Sequence, residues 1–249
     1  GGSAFRSPRP VGGRCHDDCV SAHGIPDDPQ FATESEREVW TRLKADGASD
    51  WILLANVRLT DTKKDHELDV IVLMPDVGIV VVEVKGGDLR MEDGEWVVGH
   101  GKGRRVVHPV DQGRDGKYAL RAYIEQDPRW KASSRTRVRF GHAIAAPYTD
   151  LADDFATPDC PRWMISGRGD QPDLAGRLHD IASRQESGHR VPTHDDCALI
   201  VEILKGRNLP QRTLLAEADE RESRADRLTI EQATILGVTR LIHRVDVRG

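Results

Sequence analysis

No stretch of this 249-residue chain is apolar over anything near the roughly 20 residues that cross a bilayer, so a membrane-spanning helix is not expected. Gly1-Gly2-Ser3 lead into no apolar signal-peptide core, which argues against secretion and reads as a remnant or flexible leader. Cysteine is scarce: four residues, at 15, 19, 160 and 197, form no disulfide framework and suit a reducing, cytoplasmic setting. Cys15-His16-Asp17-Asp18-Cys19, with His23 following, has the residue types for zinc. A second Cys/His pair at finger spacing is missing, however, so zinc is not the favoured reading. There is no internal repeat. A net charge of −5 excludes a protein coated all over with phosphate-binding charge, but it leaves room for one basic face beside a carboxylate-rich, cation-holding site.

What the chain does have is 38% hydrophobic and 31% charged residues, enough for a core and a well-solvated surface in one large domain with or without an appendage. Residues 1–30 lack apolar periodicity and read as leader. Val39, Trp40 and Leu43 fall at helical spacing, so a helix is predicted over 34–45, capped by Thr33 and ended at Gly47. A strand is predicted over 51–59. The clearest feature is a pair of β-branched runs, 68–74 and 79–85, joined by Pro75-Asp76-Val77-Gly78. Apolar residues run through both almost unbroken, so this hairpin should be covered on both faces. Glu92-Asp93-Gly94 reads as the turn of a second hairpin with Trp96, Val97 and Val98 leading out. A helix over 109–125 and a strand over 137–146 follow, then a short strand at 163–166 and helices at 172–186 and 193–205. Loose alternation of strands and helices implies an α/β fold with a mixed central sheet. Residues 207–227 read as a charged linker, and a new apolar pattern starts at 228.

Three polar residues interrupt the apolar hairpin: Asp69, Glu83 and Lys85. Alternation sets Glu83 and Lys85 on one face, and Asp69 joins them only if an odd-length loop pairs it with an odd-numbered residue such as Glu83. Two converging carboxylates repel unless a cation lies between them, and hard oxygen donors suit Mg²⁺ or Mn²⁺. Such a metal polarises a phosphodiester and activates water, while an ammonium beside it neutralises developing charge. The bland alternative is that Glu83 and Lys85 are ordinary charged strand ends paired with each other.

The surrounding residues resemble the NERD (nuclease-related) domain of the PD-(D/E)xK nuclease superfamily. Glu34-Ser35-Glu36-Arg37-Glu38-Val39-Trp40 is similar to its opening helix, and Glu67-Leu68-Asp69-Val70-Ile71-Val72 to its acidic strand. Val82-Glu83-Val84-Lys85-Gly86-Gly87 and His108-Pro109-Val110-Asp111-Gln112 match further motifs. The resemblance implies a restriction-endonuclease-like core over 31–206. It also implies catalytic positions at Glu36, Asp69, Glu83, Lys85 and Gln112, with Mg²⁺ (or Mn²⁺) held at Asp69, Glu83 and Val84. Leu228-Thr229-Ile230-Glu231-Gln232, with the residues to 249, resembles the beginning of a superfamily-one (UvrD-like) DNA helicase, in which Gln232 would contact adenine. No G-x-x-x-x-G-K-[ST] loop occurs, so ATP hydrolysis is not expected.

Basic residues cluster at Lys102, Arg104 and Arg105, and again at Arg114, Lys117 and Arg121, whose spacing suggests one helical face. A third group is Arg129, Lys131, Arg135, Arg137 and Arg139, bordered by Trp130 and Phe140. These make DNA the expected partner, with RNA also open, through salt-sensitive phosphate contacts. The leading expectation is therefore a Mg²⁺-dependent DNA phosphodiester hydrolase from a helicase-linked protein of repair, recombination or defence. The alternatives are a non-catalytic DNA-binding or helicase-regulating module, and an assembly domain contacting through 211–227.

Overall fold

The computed structural model describes residues 21–60, 65–99, 103–133, 135 and 137–205. The Cys15–Cys19 segment, Lys102, the charged linker and the helicase-like stretch with Gln232 lie outside the described residues.

The fold is mixed α/β. A six-stranded sheet runs in the order β1 (His23–Ile25), β2 (Ile52–Thr60), β3 (Asp65–Met74), β4 (Gly78–Val84), β8 (Phe140–Ala145), β9 (Ile165–Ser166). β2, β3 and β4 form an antiparallel meander, and β1, β8 and β9 add in parallel to their neighbours. A second, antiparallel sheet of β5 (Leu89–Glu92), β6 (Glu95–Val98) and β7 (Arg105–Val107) branches off between β4 and the helix that follows. This architecture is consistent with a restriction-endonuclease-like core.

The apolar hairpin is covered on both faces, as its composition predicts. Every residue of β4 is buried. Its even-numbered residues Val80 and Val82 pack with Val70, Val72 and Met74 under α1 (Glu34–Asp46) and α4 (Leu174–Arg184). Its odd-numbered residues Ile79 and Val81 pack with Ile71 and Leu73 under α2 (Pro109–Gln126) and α5 (His194–Leu204). Each such side chain contributes about 1.5–3 kcal/mol on burial, so the two layers fix which face of β4 any polar residue can occupy.

α1 begins where Thr33 caps it: the Thr33 side chain accepts the Glu36 N–H, and the Glu36 carboxylate accepts the Thr33 hydroxyl at 2.9 Å and the Ala32 N–H at 3.2 Å. The β5–β6 hairpin turns through Asp93 and Gly94, both at positive φ, as a two-residue primed turn requires.

Four elements depart from the sequence expectations. His23–Ile25 belongs to the sheet, parallel to β2, so the leader reading fails there; a three-residue edge strand is too short to show a period. β7 and the short helix α3 (Pro128–Ala132) were not expected either, for the same reason of length. The expected strand at 163–166 opens as a 3-10 turn, Arg162–Met164, leaving only Ile165–Ser166 in the sheet.

Candidate active site

The β3–β4 ladder runs from Met74↔Gly78 to Val70↔Val82, closed by the odd-length loop Pro75-Asp76-Val77. One further step in this register would set Asp69 opposite Glu83, the parity that convergence requires. The ladder stops there. In place of a strand carbonyl, Asp69 Oδ2 accepts the Val84 N–H at 2.7 Å. Lys85 Nζ donates to Glu83 Oε1 at 2.6 Å, with the two side chains 16% and 7% exposed. Lys85 N–H in turn donates to Ala145 O at 2.8 Å, which holds the end of β4 against β8.

Electrostatics ties a fourth residue to these three. Burial pushes the Asp69 carboxyl well above its ordinary value, and repulsion from Glu83 and then Glu36 adds to it, against a partial offset from Lys85 and the Val84 N–H. Burial opposes charge on Lys85 too, but the Glu83 and Asp69 carboxylates outweigh it and raise its ammonium above the usual value. Glu36 is brought in by the first turn of α1, where the cap already engages both its oxygens. Three carboxylates thus stand near one ammonium, and burial first, then the Glu83 and Glu36 charges, disfavour the charged form of Asp69. A divalent cation would relieve that repulsion, so this donor set fits a hard metal. Among the described residues no group of three or more His, Cys, Asp or Glu side chains is assembled to hold a metal. Asp69 and Glu83 would therefore need a backbone oxygen to complete the protein's share. Val84 has an apolar side chain, so its carbonyl is the group it would offer.

α2 lies close over this corner: a Cβ would fit in ordinary contact at Gly113, but Gly116 leaves no room for one. A Cβ on Gly113 would lie 3.5 Å from His142 Cδ2 and 3.7 Å from Glu83 Cβ, and one on Gly116 would come within 2.5 Å of Leu68 Cδ2. The helix can thus lie flat with its first turns beside Glu83. Gln112 is exposed immediately before Gly113, with its N–H bonded to His108 O at 2.9 Å.

His142 is a member of this neighbourhood that sequence reasoning missed. It is 7% exposed, and its Nδ1 has no hydrogen-bond partner. Burial, with help from Lys117, lowers its pKa to about 4, so the ring is neutral near pH 7. No spacing signal in the sequence could have found it.

The basic residues divide. Arg104 and Arg105 are exposed; Arg104 Nε donates to Glu92 at 2.8 Å, and Arg105 is near enough to Lys85 to disfavour its charge. Arg114 is 46% exposed and pairs with Asp111. Lys117 and Arg121, expected on an open phosphate-binding face, are instead each 5% exposed and bonded to Glu186. The physical reason is the close approach of α2, which turns this stripe inward onto Glu186 and the Phe140 ring, 4.9 Å from the Arg121 guanidinium. Two residues of the run after Trp130 are likewise structural: Arg135 bonds the buried Asp196 at 2.7 Å, and Arg139 donates to the Val77 and Ser187 carbonyls; Arg137 stays exposed, paired with Glu125 at 3.5 Å.

Asp69, Glu83 and Lys85 thus come together at the end of β4, on a core consistent with a restriction-endonuclease-like fold. Residues 32–141 match the family model of the nuclease-related domain, NERD, which spans α1 to the start of β8. No curated protein matches the chain, and no solved structure does.

Proposed function

We propose that this corner is a Mg²⁺- or Mn²⁺-dependent nuclease site that hydrolyses DNA phosphodiester bonds. The observation that carries the reading is the convergence at the end of β4, where Asp69 bonds the Val84 N–H beside the Glu83–Lys85 pair; burial, with the Glu83 and Glu36 charges, raises the Asp69 carboxyl there. Asp69, Glu83 and the Val84 carbonyl are the residues that would hold the cation. When bound, the cation would supply Lewis-acid polarisation of a phosphoryl oxygen and a more acidic water. Lys85 stands where it can leave Glu83 to stabilise charge growing on the phosphate. Gln112, exposed in the first turn of α2 next to Gly113, would orient the backbone, and the Glu36 charge acts on Asp69 from the α1 cap. Arg104, Arg105 and Arg114 are exposed cations that would contact flanking phosphates, Arg105 acting electrostatically on Lys85. A link to a helicase domain or subunit is supported by the resemblance at 228–249 alone.

The assay is nicking of plasmid and cutting of linear DNA, with an RNA arm, in Mg²⁺ or Mn²⁺. Cleavage should vanish with EDTA and in Asp69→Ala and Lys85→Ala. Intact DNA and RNA under every metal condition would overturn the catalytic reading. The second reading, a non-catalytic DNA-binding or regulatory module, is favoured by one observation: Lys85 already saturates one oxygen of Glu83. It requires salt-dependent DNA binding that survives Asp69→Ala.

A further inference from the structure

β2 and β3 keep one register along their length, yet both strands change face at the same step. Leu53↔Val72 and Ala55↔Val70 belong to the layer under α1 and α4. Val57↔Leu68, two residues further on, belongs to the opposite layer under α2 and α5. Strict alternation would have returned Val57 and Leu68 to the first layer. Between these pairs stand only Asn56 and Asp69, the one step at which the two strands do not pair, although the register resumes unchanged beyond it. Asn56 has φ 51, a left-handed backbone inside a strand, and its Nδ2 donates to Gln30 O at 2.6 Å. Asparagine is among the few residues other than glycine that adopt this conformation readily.

We infer that Asn56 is the positioning residue for Asp69. Its left-handed turn shifts β2 by one face, and the register, resumed unchanged at Val57↔Leu68, carries the shift into β3. Asp69 is thereby taken out of the alternation that would send it into one core layer. Its carboxylate is directed along the sheet to the Val84 N–H, next to Glu83. A left-handed residue within a strand is an unusual backbone choice, and such choices gather at functional sites. The proposal rests on the nuclease reading only for the role of Asp69 as a metal ligand; the positioning itself stands on the strand geometry.

The test compares Asn56→Gly, which keeps access to positive φ, with Asn56→Ala, which resists it, both in the full chain. The first readout is the Val84 amide in the metal-free protein, by NMR shift and hydrogen exchange. The second is Mn²⁺ affinity by calorimetry. Asn56→Gly should keep the slow-exchanging Val84 amide and the wild-type affinity. Asn56→Ala should lose the amide's protection and bind Mn²⁺ about 10–100-fold more weakly, the usual cost of disturbing a ligand's support. If Asn56→Ala does not fold, Asn56→Asp replaces it, retaining the left-handed preference without the bond to Gln30, and must keep the Val84 signal. Equal behaviour of Asn56→Ala and wild type, or loss of the Val84 bond in Asn56→Gly, overturns the inference. Should wild type bind no Mn²⁺ and cut no nucleic acid, the nuclease reading fails while the Val84 amide still decides the positioning.

Discussion

Replacing Glu186 by Ala should destabilise the protein far more than a surface substitution would. Glu186 receives Lys117 Nζ at 3.2 Å, Arg121, the Phe140 N–H at 3.2 Å and His189 at 3.0 Å. Lys117 and Arg121 are each 5% exposed, so removing the carboxylate strands two buried cations. Breaking one buried pair costs about 3–5 kcal/mol, and for a domain of this size that lowers Tm by on the order of 10 °C. Urea unfolding at pH 7 measures the loss. The pH dependence has a definite sign. Burial alone would raise the Glu186 carboxyl, but the Arg121 hydrogen bond and the Phe140 N–H outweigh it and hold it at about 2, against 4.5 for a free glutamate. A depressed folded value means stability that is present above pH 4.5 and lost as pH falls towards 2. The gap between wild type and Glu186→Ala should close across that window. Replacing Lys117, Arg121 and Glu186 together by Met, Met and Leu should recover much of the loss. A cost below about 1 kcal/mol, as for an exposed pair, would refute the placement of these cations inside the fold.

Three further outcomes are expected. Gly116→Val should cost about 1–3 kcal/mol by forcing α2 off Leu68, and combining it with Leu68→Ala should recover part of that, both read from thermal melts. The His142 ring should titrate near 4 by NMR; because its folded value lies below 6.5, it adds stability above pH 6.5 that is lost as pH falls towards 4. Lys117→Met should raise that midpoint, and an unmoved midpoint would count against their proximity. Arg104→Ala and Arg105→Ala should weaken DNA binding and flatten its salt dependence with little change in stability, whereas sequence-independent binding unaffected by either would remove them from the interface.

The central hairpin was legible because its signals are dense and local: two β-branched runs around a Pro-Asp-Val-Gly turn mark the strands, and alternation alone puts Glu83 and Lys85 on one face. Asp69 was legible only conditionally. The register came out with the required parity, but the change of face at Asn56 and Asp69 depends on one backbone angle that no composition or period encodes. Helix α2 shows the opposite failure. Its length and start followed from Pro109 and the apolar period, yet the spacing of Lys117 and Arg121 suggested an open basic face. Their real partner is Glu186, 65 or more positions away in sequence, and a contact of that range leaves no local trace. Arg135 and Arg139 misled for the same reason, since Asp196 and backbone carbonyls absorb charge that looked free for phosphate.

The most direct test of the metal-holding corner is anomalous diffraction from crystals of the full chain grown or soaked with Mn²⁺. The account predicts one peak within coordination distance of both the Asp69 and Glu83 carboxylates, with Lys85 Nζ withdrawn from Glu83. Ordered crystals at saturating Mn²⁺ that keep the Lys85–Glu83 pair closed and show no peak at that corner would contradict it.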